Sequence, residues 1–212
     1  YGNNGWGCYA VQVFTGTNTI AEYNVVDSTG YSGMRVSGNM TLRNNIISYS
    51  CLTLNDGGGI DLNEADGLQI LNNVVTFTIG NVESAASPIR YANGIYFGPG
   101  AIKNVLIKGN TVAGNGYSGM NIDNKSTTLN NQILNNVFYN NAYTQIVFTD
   151  FSSSSYTPVY SNTVKGNVLY GLSISQSCME HQMWRSPNFS DYGNFDSNYY
   201  CNPYTEAVLR RT

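Results

Sequence analysis

The densest run of side chains able to do chemistry is Asn55-Asp56-Gly57-Gly58-Gly59-Ile60-Asp61-Leu62-Asn63-Glu64-Ala65-Asp66. Carboxyl groups this close can work as general acid and base, one holding a proton and the other taking one. They can also surround a hard cation, because calcium takes oxygen ligands from Asp, Glu and Asn. Asp56 and Asp61 are the candidates for proton transfer, and Asp61, Glu64 and Asp66 for a calcium site. Read as an EF-hand loop, Asp61-x-Asn63-x-x-Asp66-Gly67 is off by one residue and lacks the closing Glu, so that motif is rejected. Elsewhere, Arg35, Arg90 and Lys125 offer positive charge, Tyr96 a phenol, and Asn121 and Asp123 polar contacts. His181, the one histidine, lies beside Glu180, but a lone His carries no pattern and no role is assigned to it.

The elements that must position these groups announce themselves as a repeat. Centred on one asparagine, with apolar residues three before and two after, the copies are Ala21/Asn24/Val26, Leu42/Asn45/Ile47, Ile70/Asn73/Val75, Ile107/Asn110/Val112, Ile133/Asn136/Phe138 and Val164/Asn167/Leu169. Phe195/Asn198/Tyr200 is a looser seventh. Successive asparagines stand 21, 28, 37, 26, 31 and 31 residues apart, a short minimum period with variable insertions. A second marker travels with the first: a small residue, then apolar-x-apolar. It is seen at Gly33–Val36, Gly59–Leu62, Gly94–Phe97, Gly119–Ile122 and Gly171–Ile174. Alternation of this kind predicts half-buried strands, and no segment keeps helical spacing. Three short strands per coil, wound in one direction, make a solenoid whose strands pair with the coils above and below. Asn suits the corner because its carboxamide both donates and accepts, and because it tolerates unusual backbone angles.

Side chains alternate across a strand, so the middle residue of each Gly-led triplet points outward. That outer column reads Gln12, Arg35, Asp61, Tyr96, Asn121, Val147, Ser173, and the next Phe14, Ser37, Asn63, Gly98, Asp123, Thr149, Ser175. With coils about 4.8 Å apart, Arg35, Asp61, Tyr96 and Asn121 are expected side by side on an open face. Two adjacent coils extrude long loops beside it, at roughly 48–58 and 76–93, and such loops on a regular scaffold carry function. A third, Ser-rich loop is expected around 149–160.

Over residues 9 to 175 this pattern resembles the right-handed parallel β-helix, the fold of pectate lyases and polygalacturonases. The resemblance implies an all-β solenoid of about seven coils with an internal Asn ladder, and a substrate groove on the Gly-led sheet. Residues 176–212 are expected to form an irregular terminal segment of the same domain. The acidic cluster is similar to the Asn-x-Asp-Gly-Ile-Asp strand of polygalacturonases, but two extra glycines separate Asp56 from Ile60. The family's Asp-Asp, Gly-His-Gly and Arg-Ile-Lys signatures are absent. The implied function is therefore that of an extracellular or cell-surface polysaccharide lyase or glycosidase. A non-catalytic carbohydrate-binding or adhesin module is the alternative. Asp61, Asp56 and Arg90 are the catalytic candidates, and Arg35, Asn63, Tyr96, Asn121, Asp123 and Lys125 the substrate-binding ones. A glycosidase needs carboxyls about 5–5.5 Å apart for retention or about 6.5–9.5 Å for inversion. Asp61 and Asp123 come out about 12 Å apart by strand spacing and rise, which leaves Asp56 with Asp61 as the pair if the glycine turn folds back.

Bulk properties narrow the classes. Of 212 residues only 11% are charged, with 17 tyrosines and a net charge of −3. Nucleic-acid binding needs basic stripes that are missing here, and no apolar run is long enough to span a bilayer. Cys8, Cys51, Cys178 and Cys201 show no CxxC spacing, so no zinc site is expected. A Cys178–Cys201 disulfide and four free thiols both remain open. Tyr1–Gly5 reads like the middle of a coil and Val208–Thr212 stops without a cap. Solenoids need capped ends, so a monomeric module within a longer multidomain chain is expected.

Overall fold

A computed structural model describes residues 9–84, 88–123, 128–150, 159–183 and 189–211. The Gly-led strands are Val11–Glu22, Met34–Arg43, Gly57–Asp66, Ala92–Phe97, Ser118–Asp123 and Thr144–Asp150. Each pairs in parallel with the next. In the first two coils the Gly-led strand runs on to form the second face itself, and in later coils a separate second strand does so, as at Gln69–Leu71 and Leu106–Lys108. After the Asn corner comes a third. These third strands, Val25–Asp27, Ile46–Ser48, Val74–Thr76, Thr111–Ala113, Val137–Tyr139, Val168–Tyr170 and Tyr199–Cys201, stack in sequence order as a seven-stranded parallel sheet. The expected all-β solenoid, a right-handed parallel β-helix, is the fold observed.

The three faces close on one apolar interior. Ile60 and Leu62 enter it from the Gly-led strand, Ile70 from the second and Val75 from the third, all fully buried. The same positions repeat as Ile95, Phe97, Ile107 and Val112 one coil on. Glycine leads the first strand for lack of room: a Cβ on Gly94 would lie 2.2 Å from Val112 Cγ1, and one on Gly59 2.4 Å from Val75 Cγ1.

The corner asparagines form the expected ladder. Asn24 Nδ2 donates to Asn45 Oδ1 at 2.8 Å, Asn45 to Asn73 at 2.9 Å and Asn73 to Asn110 at 3.0 Å. Asn110, Asn136 and Asn167 continue at 2.9 Å each, the last onto Asn198. Each acceptor oxygen also takes the backbone N–H of the preceding rung, as Asn110 Oδ1 takes that of Asn73 at 2.8 Å. The second amide hydrogen goes to a backbone carbonyl, as from Asn73 to Leu42 at 3.0 Å.

Two shorter ladders at the other corners lie outside the sequence reading. One joins Asn115, Asn141 and Gln145 through 2.8 Å bonds, and the other joins Asn131 to Asn162 at 3.0 Å. One backbone rule covers the ladder asparagines, with Gln145, which sits within a strand, outside it. The residue before each ladder asparagine is left-handed: Asn44, Asn72, Asn135 and Gly109 at the first, Gly114 and Asn140 at the second, Asn130 and Ser161 at the third. Asn and Gly enter this region at least cost, so in Asn72-Asn73 the first Asn turns the chain and the second satisfies it.

The C-terminal part differs from expectation. Gly171–Ile174 is not a Gly-led strand; Ile174 is 70% exposed there. The strand in that place is Ser177–Met183, which pairs with Thr144–Asp150 and puts Met179 and His181 opposite Ile146 and Phe148. Asn202 holds the intervening loop by donating to the carbonyls of Ser173 and Gln176, 2.8 Å each. Among the described residues of 176–212, Gly193–Asp196, Tyr199–Cys201 and Leu209–Arg211 each add a parallel strand to a sheet, where an irregular segment was expected. Cys51, Cys178 and Cys201 are free thiols, with Cys178 Sγ 3.2 Å from the Leu169 carbonyl; Cys8 lies outside the described residues. Among the described residues no helix is long and apolar enough to cross a membrane.

Asn73→Ala strands the backbone N–H of Asn45 and the carbonyl of Leu42 in a dry corner. At about 1–3 kcal/mol per unsatisfied buried group, we expect a loss of at least about 2 kcal/mol in urea unfolding. Gln132→Ala, on a solvated face, should stay within about 0.5 kcal/mol of the parent.

Candidate functional site: a groove on the Gly-led sheet

The register sets the outer column. Gln12, Arg35, Asp61, Tyr96, Asn121 and Val147 are successive lateral partners, as the alternation predicts. The column continues through Glu180 and Arg210 rather than Ser173, because Ser177–Met183 is the pairing strand. The neighbouring column runs Asp123, Thr149, Gln182. Asn63 falls out of it: a register shift after Val36 pairs Gly38 with Ala65, and Asn63 sits half-buried at that irregularity.

A groove of about 700 Å³ lies over this sheet. Its floor is Tyr96, Asn121, Asp123, Thr149 and Gln182; Asp56 closes one end, and Pro88, Ile89 and Arg90 form a lip. The two long loops build that end together, since Asn55 Nδ2 donates to the Ile89 carbonyl and Asn55 Oδ1 accepts from Tyr91 N, 2.9 Å each. The loop at 48–58 is itself seated by a small apolar cluster of Tyr31, Cys51 and Leu54.

One wall is a column of tyrosines absent from the candidates drawn from sequence. The Tyr91 and Tyr117 rings meet edge-on at 5.2 Å, and those of Tyr117 and Tyr143 stack at 4.9 Å. Tyr143 Oη donates to Glu180 Oε1 at 2.7 Å, and Gln182 Nε2 donates to the same oxygen at 3.3 Å. The signal was present: each tyrosine immediately precedes the first residues of a Gly-led strand, a place repeated from coil to coil.

The floor holds the chemistry. Tyr96 Oη donates to Asp123 Oδ2 at 3.2 Å. Burial, then the carboxylates of Asp123, Asp56 and Asp61, push the Tyr96 pKa well above its usual range, so the phenol keeps its proton. Asp61 lies beside Tyr96 and is buried to the same degree, 4% exposed against 6% for Tyr96 and 3% for Asp123, but it does not line the groove and accepts from Ser32 Oγ at 3.3 Å. Burial raises its pKa to about 6, against the pull of Arg35 and Ser32, and Asp56 adds to the rise. Arg35 is occupied away from the groove, its guanidinium 4.9 Å above the Tyr9 ring and donating to Tyr9 Oη.

Several candidates are not brought to this site. Asp66 pairs with Lys103 at 3.3 Å and accepts from Asn104 Nδ2 at 2.7 Å; with Glu64 it borders a separate hollow beside Gly100 and Lys103. Asp61, Glu64 and Asp66 therefore do not converge, and no group of three or more metal-binding side chains occurs among the described residues. Lys125 lies outside the described residues. His181 points into the core, stacked on Phe148 at 5.1 Å, and burial lowers its pKa to about 4.

The family model described as "Right handed beta helix region" matches residues 9–183. No curated protein matches the sequence. The A-module of the Azotobacter vinelandii mannuronan C-5 epimerase AlgE4 is similar at 15% identity and a TM-score of 0.52, over 92% of this chain and 57% of that one. The AlgE6 A-module from the same organism gives 14%, 0.46, 92% and 57%. The chain thus spans little more than half the length of these structures, and at such identity the likeness is one of fold.

Asp61 supplies a pH test. Its carboxyl holds a proton in the folded state that the unfolded chain has already released, so its contribution to stability is lost as pH rises from about 4 through about 6. Asp61→Asn should be the more stable protein at pH 7 and lose that part of the pH dependence, as read from urea midpoints across the range. Parallel curves for the two proteins would refute the assignment.

Proposed function

We propose that this chain, which belongs to the right-handed β-helix family, binds a linear polysaccharide along the groove and moves protons on it, as a polysaccharide lyase does. The observation that carries this is the Tyr96–Asp123 hydrogen bond on the floor of the groove, with Arg90 on the lip. A phenol held protonated and a carboxylate beside it are an acid and a base within reach of one sugar ring. In β-elimination on a uronate, the carboxylate of Asp123 takes the proton next to the sugar's carboxyl. The C–H electrons form the new double bond, the glycosidic C–O bond breaks, and the leaving oxygen takes the Tyr96 proton. Arg90 faces the substrate carboxylate and stabilises the charge that develops there.

The remaining lining suits hydroxyl-rich chains. Asn121, Thr149 and Gln182 offer donors and acceptors, and the tyrosine wall offers apolar edges. The lining draws on five successive coils, from Asp56 to Gln182. At about 4.8 Å per coil this is room for several sugars of a chain lying along the solenoid axis. The epimerase to which the fold is similar is named for a reaction at a sugar carbon of a polymer, which also calls for an acid and a base around one ring. Work outside the cell or at its surface belongs to the same reading. Asp56 and Asp123 both line the groove, which favours hydrolysis by a carboxyl pair as the second reading.

A panel of uronate and neutral polysaccharides, assayed with calcium and with chelator, tests this. Unsaturated ends report elimination, and reducing ends without unsaturation report hydrolysis. Tyr96→Phe and Asp123→Asn should each lower kcat by about 100-fold or more, and Arg90→Ala should chiefly weaken turnover of uronate polymers. Binding that survives all three substitutions, with no turnover by the parent, would mean a carbohydrate-binding module; no binding at all would remove the groove from consideration.

A further inference from the structure

Glu180 is a fully buried carboxylate in the outward column of the Gly-led sheet, beside Val147 on one strand and Arg210 on the next. Val147 is fully buried as well, so an apolar side chain suits this column. A carboxylate in the same surroundings carries a desolvation cost. Its bonds show what it does there. Oε1 accepts from Tyr143 Oη at 2.7 Å and from Gln182 Nε2 at 3.3 Å. The same nitrogen of Gln182 lies 3.5 Å from Tyr117 Oη. Tyr117, Tyr143 and Gln182 all line the groove, whereas Glu180 does not. One oxygen therefore ties the tyrosine wall to the floor. A hydroxyl bonded to a carboxylate is a strong tether, and the Tyr143 ring stacks on that of Tyr117, so holding one holds both. The Gln182 amide is oriented by the same bond, its nitrogen toward Glu180 and its oxygen away from it.

We propose that Glu180 is the positioning residue of a distal sugar subsite, keeping Tyr143 and Gln182 in the arrangement that receives a hydroxyl-bearing ring. Gln182 stands two strands beyond Asp123 in its column, about 10 Å at the spacing of the coils. A sugar reacting at Tyr96 and Asp123 does not reach that far; the next sugars of the same chain do. The inference rests on the reading of the groove as a polysaccharide site and adds a division of labour to it. Tyr96 and Asp123 act on the bond, and the Glu180 end decides how firmly a long chain is held. Contacts with a remote sugar are the same before and during reaction, so they act on KM and leave kcat alone.

The probes are the uronate polymers of the panel above, cut to fragments of about two and about five sugars, at roughly one sugar per coil. Glu180→Leu fills the space but offers no acceptor. It should raise KM, or Kd where there is binding without turnover, by about tenfold for the longer fragments, with kcat within about twofold. The shorter fragments should be unaffected. Glu180→Gln keeps an acceptor oxygen and should stay within about threefold of the parent at both lengths. Tyr143→Phe removes the donor from the other side of the same bond and should reproduce the loss seen with leucine. Near-ultraviolet circular dichroism of the stacked tyrosines needs no sugar: it should change in Glu180→Leu and be retained in Glu180→Gln. Far-ultraviolet spectra and thermal unfolding establish that each variant is folded. Leucine and phenylalanine variants that hold long fragments like the parent overturn the proposal. So does a loss equal at both lengths, or a near-ultraviolet spectrum that leucine leaves unchanged. A parent that binds none of the polymers fails the reading of the groove instead, and the near-ultraviolet spectra then decide whether Glu180 holds the wall.

Discussion

A carboxamide that donates to the next coil while its oxygen accepts from the last is the contact on which this molecule rests. Turning the chain inward every few residues brings peptide groups into a dry corner where no sheet partner can reach them. Such groups cost about 1–3 kcal/mol each if left alone. Asn73 meets the demand completely: its oxygen takes two N–H groups and its amide supplies one carbonyl and one further carboxamide. Since the same solution recurs from Asn24 to Asn198, strand registers on all three faces are tied to one column.

The groove follows from that column at one remove. Ladder and apolar interior fix which residues of a Gly-led strand face outward and at what lateral spacing. Insertions are then free to vary where they leave the coil, between the third strand and the next Gly-led one. The two longest meet through Asn55 and build one end of the groove, so the regular part supplies the floor and the irregular part the lip.

The repeat was legible because its causes are local: an apolar triplet, an asparagine and a glycine where a Cβ has no space. Arg35, Asp61, Tyr96 and Asn121 are neighbours for the same reason. Reading failed where register changes without a sequence mark. The shift after Val36 removes Asn63 from its column, and Ser177–Met183 has no leading glycine to distinguish it from Gly171–Ile174. Burial was likewise not legible. Asp61 and Tyr96 are partners on one face and almost equally buried, yet only Tyr96 lines the groove, because access depends on the loops and on the side chains of adjoining coils. The tyrosine wall was missed because tyrosine before a strand is no motif in one coil; it becomes a surface only when coils are superposed.

Every rung of the Asn ladder is oriented the same way, amide hydrogen toward the later coil and oxygen toward the earlier one. The shorter ladders at the other corners share that orientation. Strand backbones alternate and largely cancel, whereas these side-chain dipoles add and polarise one another. The solenoid is therefore electrically polar along its axis, carbonyl end at Asn24 and amide end at Asn198. Such a column favours negative charge toward the side its amide hydrogens face and positive charge toward the side its oxygens face.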